Sequence, residues 1–138
     1  MYAVHMKSQI LNIEFVKNEL GFLGFLENGK IPFDIARIYF IRDVPTHATR
    51  GKHGHKKLRQ ILIPISGSFD VLVVNSDGQK KFHLNSPEKS LYIPEMSWRE
   101  INNFSPGSCC LVVASEKYMK DDYIFDLEQF LSLVGIGG

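Results

Sequence analysis

The segment Arg50-Gly51-Lys52-His53-Gly54-His55-Lys56-Lys57-Leu58-Arg59-Gln60 holds the chemistry that stands out in this chain. His53 and His55 are two residues apart. On a β-strand that spacing sends both imidazoles to one face. A pair placed this way can move protons near neutral pH, or can supply two ligands to a metal. The same spacing in a basic loop would leave two solvent-facing histidines, and the pair alone does not separate these readings. The other histidines, His5, His47 and His83, have no partner pattern and are left out of the site.

The elements that must position this pair are short and β-rich. Apolar runs occur at Arg37–Ile41, Gln60–Ile65, Ser68–Val74 and Ser108–Ala114, with Ser90–Ile93 leading into Pro94. Asn75-Ser76-Asp77-Gly78 closes the third run, and its Asp-Gly pair predicts a hairpin with a return strand over Gln79–Leu84. Many short strands at close spacing predict an all-β sandwich or barrel. Leu20-Gly21-Phe22-Leu23-Gly24-Phe25 reads as an N-terminal strand pair bent at its glycines. Near the end, Tyr123, Leu127, Phe130, Leu131 and Val134 recur at helical spacing. They predict a short amphipathic C-terminal helix over 120–134, with Gly135 as its stop.

The chain has 138 residues, enough for one domain, 1–138, that needs no disulfide staples. Lys plus Arg number 16 and Asp plus Glu 15, for a net charge of +1. That balance argues against nucleic acid as a partner and against a polybasic membrane anchor. No apolar run approaches a membrane span, and the start lacks a signal pattern, so a cytoplasmic protein is expected. Cys109 and Cys110 are adjacent, too close for an ordinary disulfide, and read as strand thiols.

Gly51, His53, His55, Gln60 and Gly67 follow the first consensus motif of the cupin barrels, and Pro94, Arg99 and Asn103 the second. Cupins that hold a metal use two His, a Glu and a further His. Here Gln60 and Arg99 stand at two of those four positions. An amide is a poor substitute for an anionic ligand, and a guanidinium cannot ligate at all. The sequence therefore points to a cupin without a metal or other cofactor, with its histidines free for acid–base work.

A closer resemblance rests on five stretches in one order and spacing: Arg37–Ile41, Arg50–Leu58, Tyr92-Ile93-Pro94, Trp98-Arg99-Glu100 and Asp122-Tyr123-Ile124. Together they resemble the WxcM-like family of metal-free cupins, from about Gly21 to Phe130. The resemblance implies an RmlC-like jelly-roll barrel with a short C-terminal helix, and a homodimer in which the N-terminal strand region, 1–20, is exchanged. It implies a dTDP-linked 4-keto-6-deoxy sugar as substrate. The expected activity is 3,4-ketoisomerisation of dTDP-4-keto-6-deoxyglucose, ahead of transamination to a 3-amino-3,6-dideoxysugar. By the same resemblance His53 is the base and proton carrier. Tyr39 bonds the sugar or His53, and His55 supports the sugar oxygens or the enediolate. Arg37 and Arg50 are candidates for diphosphate or sugar contacts, since guanidinium groups suit phosphate geometry.

Two departures stand out. Gly54 lies between the histidines where Ala is commoner, a change read as conservative in volume. Arg99 replaces a His found in many relatives, placing a fixed cation at the substrate cavity. By the same resemblance Arg99 is a candidate for control of the C4 configuration and favours the gluco over the galacto product. Trp98 reads as packing, with base or sugar stacking as its alternative. The competing functional readings are a nucleotide-sugar epimerase on the same scaffold and a non-catalytic nucleotide-sugar-binding cupin.

Overall fold

A computed structural model describes residues 6–135, so the first five residues of the N-terminal region 1–20 lie outside the described residues. The strands are β1 (Gln9–Asn12), β2 (Glu14–Asn18), β3 (Gly21–Phe25), β4 (Arg37–Arg42), β5 (Arg50–His55), β6 (Gln60–Ser66), β7 (Phe69–Asn75), β8 (Gly78–Leu84), β9 (Lys89–Ile93), β10 (Ser97–Asn102), β11 (Cys109–Ala114) and β12 (Tyr123–Ile124). One helix, α1 (Leu127–Leu133), follows. Two five-stranded antiparallel sheets form, in the orders β1-β9-β6-β11-β4 and β12-β5-β10-β7-β8. Leu62, Leu91, Ile93 and Val112 from the first sheet meet Phe69, Val71, Val73 and Ile101 from the second in one buried cluster. The sheets therefore pack face to face, as in an all-β cupin barrel.

Strand β6 is buried on both faces, which explains its unbroken apolar run. Leu62 turns into the barrel, while Ile61 and Ile63 turn outward beneath Leu26, Ile31 and Phe33 of the loop between β3 and β4. The expected hairpin is present. Asn75 pairs with Gly78 across a two-residue turn, and Asn75 Oδ1 accepts from Asp77 N at 3.0 Å. The glycine-bent segment is the second arm of a separate hairpin, β2–β3, which turns at Glu19-Leu20. Its side chains are mostly exposed, Leu20 at 91%. Phe15 and Phe22 stack on each other across the arms, with ring centroids 5.0 Å apart.

The C-terminal helix is shorter than the expected 120–134. Residues Lys120–Asp122 form a 3-10 turn, and Tyr123-Ile124 pair as an edge strand with His55 and Gly54. The helical spacing of Tyr123 is thus coincidental. Asp126 sets the helix start, because its carboxylate accepts from Glu128 N at 2.9 Å and Gln129 N at 3.3 Å. Gly135, at φ 76°, follows the end. Phe130 docks the helix on the outer face of the second sheet against Trp98 and Ile124.

Candidate active site

Strand β5 lies between β10 and β12, in register His53↔Arg99, Gly54↔Trp98 and His55↔Ser97. Alternation then sends His53, His55 and Arg99 to the inner face, and Gly54 and Trp98 outward to α1. Arg50 is three residues from His53, a spacing that strict alternation would put on the opposite face. A bulge corrects it. Gly51 and Lys52 take left-handed φ values of 83° and 58°, the register shifts between Arg99 and Glu100, and Arg50 comes to pair with Ile101. Gly51 is fitted to this shape: a Cβ there would lie 3.1 Å from the Arg99 carbonyl oxygen, on an already strained backbone.

A narrow cavity of about 80 Å³ opens inside the barrel, lined by Tyr39, Arg50, His53, Gln60 and Arg99 over a floor that includes Leu62, Ile101 and Val112. A roomier groove of about 400 Å³ lies elsewhere, between the β2–β3 hairpin and the loop before β4. Its lining is largely apolar and contains no histidine. The cavity is where the chemistry is.

Arg99 is only 2% exposed. Its Nη1 donates to Gln60 Oε1, its Nη2 donates to Ser97 O at 2.9 Å, and its Nε has no partner. Among the described residues no carboxylate forms an ion pair with it. Burial lowers its pKa to about 10, so it remains a cation at neutral pH. Gln60 also donates from Nε2 to the Tyr39 hydroxyl at 2.8 Å. Since that oxygen accepts there, the phenolic proton is free to be donated into the cavity. Burial, opposed in part by Arg99, raises the Tyr39 pKa, which keeps it a donor.

His53 is half-buried, and its Nδ1 has no partner. Burial, and then the charge of Arg99, lower its pKa to about 4. His55 stands edge-on to it, with ring centroids 4.6 Å apart, and against Tyr123 at 4.3 Å. His55 is 1% exposed and does not line the cavity. Burial, then Arg99, bring its pKa to about 2. Arg37 sits on the inner face of β4, with its guanidinium over the Tyr39 ring at 4.7 Å and the Tyr118 ring at 5.7 Å. It does not line the cavity, whereas the exposed Arg50 does.

The six expected site residues therefore divide. The cavity brings together Tyr39, His53, Arg50 and Arg99. His55 stands behind His53, and Arg37 lies to one side on aromatic rings. Trp98 is a packing residue: its ring meets Phe130 at 6.0 Å, and its Nε1 donates to Glu100 at 2.9 Å. Gly54 is not interchangeable with Ala in this packing. A Cβ would fall 2.6 Å from Phe130 Cδ1, so the reading of that change as conservative in volume is corrected. Asp122, assigned no role from sequence, is a buried carboxylate 3.6 Å from His55 Nδ1. Its place in the Asp122-Tyr123-Ile124 stretch was the signal that could have found it.

A metal does not fit this donor set. Both ends of the Gln60 amide are engaged, and the guanidinium of Arg99 occupies the fourth position with a positive charge. Among the described residues, no group of three or more His, Cys, Asp or Glu is arranged to hold an ion. The arrangement instead offers an unprotonated imidazole, a phenolic donor and a buried cation around one small volume, which suits proton transfer next to a carbonyl.

The family model described as FdtA: WxcM-like, C-terminal matches residues 6–135. The chain belongs to this family. Among curated relatives of the FdtA, WxcM-like family is a TDP-4-oxo-6-deoxy-alpha-D-glucose-3,4-oxoisomerase from Aneurinibacillus thermoaerophilus, 34% identical over 126 residues, 91% of each chain. Among solved structures, a 3,4-ketoisomerase from Helicobacter canadensis is 41% identical. It superposes with a TM-score of 0.89 over 95% of this chain and 99% of that one. The WlaRB TDP-quinovose 3,4-ketoisomerase from Campylobacter jejuni is 40% identical, with a TM-score of 0.85 over 91% and 97%. All three relatives are 3,4-ketoisomerases or oxoisomerases, two of them for TDP-linked sugars. Among the described residues no helix is long and apolar enough to cross a membrane.

Proposed function

We propose that this chain is a TDP-4-keto-6-deoxyglucose 3,4-ketoisomerase that uses no metal. The observation that carries the reading is the cavity in which a neutral His53, the Tyr39 hydroxyl and the buried cation of Arg99 converge.

The C3 proton of a 4-keto sugar is acidic because it lies alpha to the carbonyl. His53, neutral at pH 7, takes that proton. The C3–H electron pair becomes the C3–C4 double bond, and the carbonyl electrons move to O4. Arg99 and the Tyr39 hydroxyl face the negative charge that develops there. The proton on His53 exchanges with solvent, and a proton is then delivered from His53 to C4; the O3 proton passes to O4, so that the ketone closes at C3 and a hydroxyl is left at C4. No redox cofactor enters this balance. A buried cation and a phenolic donor in place before reaction lower the cost of the enediolate. Arg50, at the cavity wall on a bulge, is assigned the diphosphate, for which its guanidinium geometry is suited. Arg37, stacked on Tyr39 and Tyr118, is assigned to orient Tyr39, with sugar contact secondary. His55 is assigned to support His53 from behind, since its burial leaves no open path to a sugar oxygen. Arg99 at the cavity supports protonation of C4 to the gluco product, as does the 40% identity to a relative named for TDP-quinovose.

The exposed apolar hairpin β2–β3 and the outward Ile38 and Phe40 of β4 support a homodimer that covers them. In solution this predicts a mass of twice the monomer by sedimentation.

The activity is tested by NMR of the chain with TDP-4-keto-6-deoxyglucose in D₂O containing EDTA. The expected product has its ketone at C3, deuterium at C4 and an equatorial C4 hydroxyl. His53→Asn should keep the fold and lose about 10²–10⁴-fold in kcat. Exchange with the 4-ketone left in place would overturn the reading in favour of an epimerase. Tight TDP binding without any exchange would leave a binding protein.

A further inference from the structure

The Asp122 carboxylate sits where the chain leaves the catalytic strand. Its Oδ1 accepts from Lys57 N at 2.8 Å and its Oδ2 from Leu58 N at 3.1 Å. Its own backbone carbonyl accepts from Lys56 N at 3.1 Å. One residue thus ties down the three positions after His55. It is 7% exposed, and its Oδ2 is also 3.6 Å from Nδ1 of the nearly inaccessible His55.

Neither nitrogen of His55 has a hydrogen-bond partner, although both are buried. A neutral imidazole must carry its proton on one of them, and the bond made by one nitrogen decides the tautomer. The charged groups around the ring are unequal. Arg99 on β10, Arg37 on β4 and the His53 ring on β5 all disfavour added positive charge on it. Tyr123 covers it from β12. The carboxylate faces Nδ1. Placing the N–H there points a dipole at the negative charge. The opposite tautomer would set a lone pair against it. At 3.6 Å the contact is longer than a formed hydrogen bond, but contacts of this kind often tighten when a substrate binds.

We infer that Asp122 is a positioning residue that holds His55 as the Nδ1–H tautomer, leaving Nε2 unprotonated in the ring that packs edge-on to His53. The consequence is directional. A His55 with no proton on Nε2 offers His53 a lone pair rather than a second N–H. His53 can then be oriented by donation to its neighbour while its other nitrogen works on the sugar. The role in catalysis rests on the ketoisomerase reading above, whereas the tautomer itself does not.

The test uses ¹⁵N-histidine-labelled full chain and long-range ¹H–¹⁵N correlation spectra at neutral pH, with His55→Asn for assignment. The expected wild-type pattern for His55 is a protonated Nδ1 and an unprotonated Nε2. Asp122→Asn should move the proton to Nε2 in part or in full. With TDP-4-keto-6-deoxyglucose it should lower kcat about tenfold or more, with KM within about threefold. A wild-type His55 protonated at Nε2 overturns the inference, and this result needs no variant to fold. A folded Asp122→Asn with an unchanged tautomer and kcat overturns it as well. The expected tautomer in a chain that does not turn over the sugar would sink the ketoisomerase reading and leave Asp122 as the group that fixes the His55 tautomer.

Discussion

The contact between Gly54 and Phe130 is narrow enough to be tested by adding one methyl group. Gly54 has ordinary strand backbone, so Ala is conformationally allowed there. A Gly to Ala change at such a site gains about 0.4–1 kcal/mol by restricting the unfolded chain. The new Cβ, however, would lie 2.6 Å from Cδ1 and 3.0 Å from Cε1 of the fully buried Phe130 ring. Atoms of the ring body meet it, and Trp98 and Ile124, the cross-strand neighbours of Gly54, hold the ring from either side. Overpacking of this kind costs about 1–3 kcal/mol. The net expectation for Gly54→Ala is a loss of roughly 0–2.5 kcal/mol, centred near 1, from the difference of these two terms.

A loss of that size should lower the melting temperature of a chain this long by about 3–5 °C. The decisive measurement is the double-mutant cycle with Phe130→Leu. Alone, Phe130→Leu opens space under the helix and should also destabilise. Combined, the Ala methyl occupies part of the vacated volume. The double variant should therefore be more stable than the two losses predict, by about 1 kcal/mol. Urea melts of the four proteins measure this. Strict additivity, or a Gly54→Ala as stable as the parent, would refute the claim that the helix sits on this glycine. Because Gly54 separates His53 from His55, the same variant should lower kcat more than Phe130→Leu does.

Acid should destabilise the fold. His55 has a folded pKa of about 2 and His53 of about 4, both below the unfolded value of 6.5, so the unfolded chain binds protons first as pH falls. Stability should be intact above about pH 6.5 and decline below it, with His55 contributing up to about 1.4 kcal/mol per pH unit; His55→Asn should flatten the slope in urea melts at stepped pH. Arg99→Gln should move the NMR titration midpoint of His53 up from about 4 toward 6.5, because it removes the second-largest cause of the depression, and should lower kcat. An unmoved midpoint would remove Arg99 from the electrostatics of the site.

Strands whose inner faces are apolar were legible from pattern alone. Gln60–Ile65, Ser68–Val74 and Gln79–Leu84 fall within a residue of β6, β7 and β8. Strand β10 was not read as a strand, because its inner face carries Ser97 and Arg99 where a core strand would carry Val or Leu. That inversion of pattern is the site itself. The His53–His55 pair was visible because two-residue spacing survives in any strand. Arg50 was named from the family motif, and its face could not be deduced, since the Gly51-Lys52 bulge breaks the period. The helix was overextended because Tyr123 fits a helical stripe and an edge strand equally well. Only pairing with His55, a contact 68 positions away, separates them. The burial of His55 and the role of Asp122 depend on such long-range contacts.

The electrostatics of the cavity are unbalanced in a way that fold stability alone would not favour. A buried Arg99 with only neutral hydrogen-bond partners carries a desolvation cost that the Asp122 carboxylate, which forms no ion pair with it, offsets only in part. Beside it, His53 and His55 are held unprotonated partly by that same cation. The two features become consistent once an anion forms between them. An enediolate supplies the counter-charge that Arg99 lacks. It also cancels the repulsion that keeps His53 from holding a proton, so its basicity rises at the moment the C3 proton arrives. The cation is thus unfavourable for the resting protein and favourable for the intermediate, which is the differential that lowers a barrier. A carboxylate at position 99 would reverse both terms, and a divalent metal would have to compete with the guanidinium for the same space.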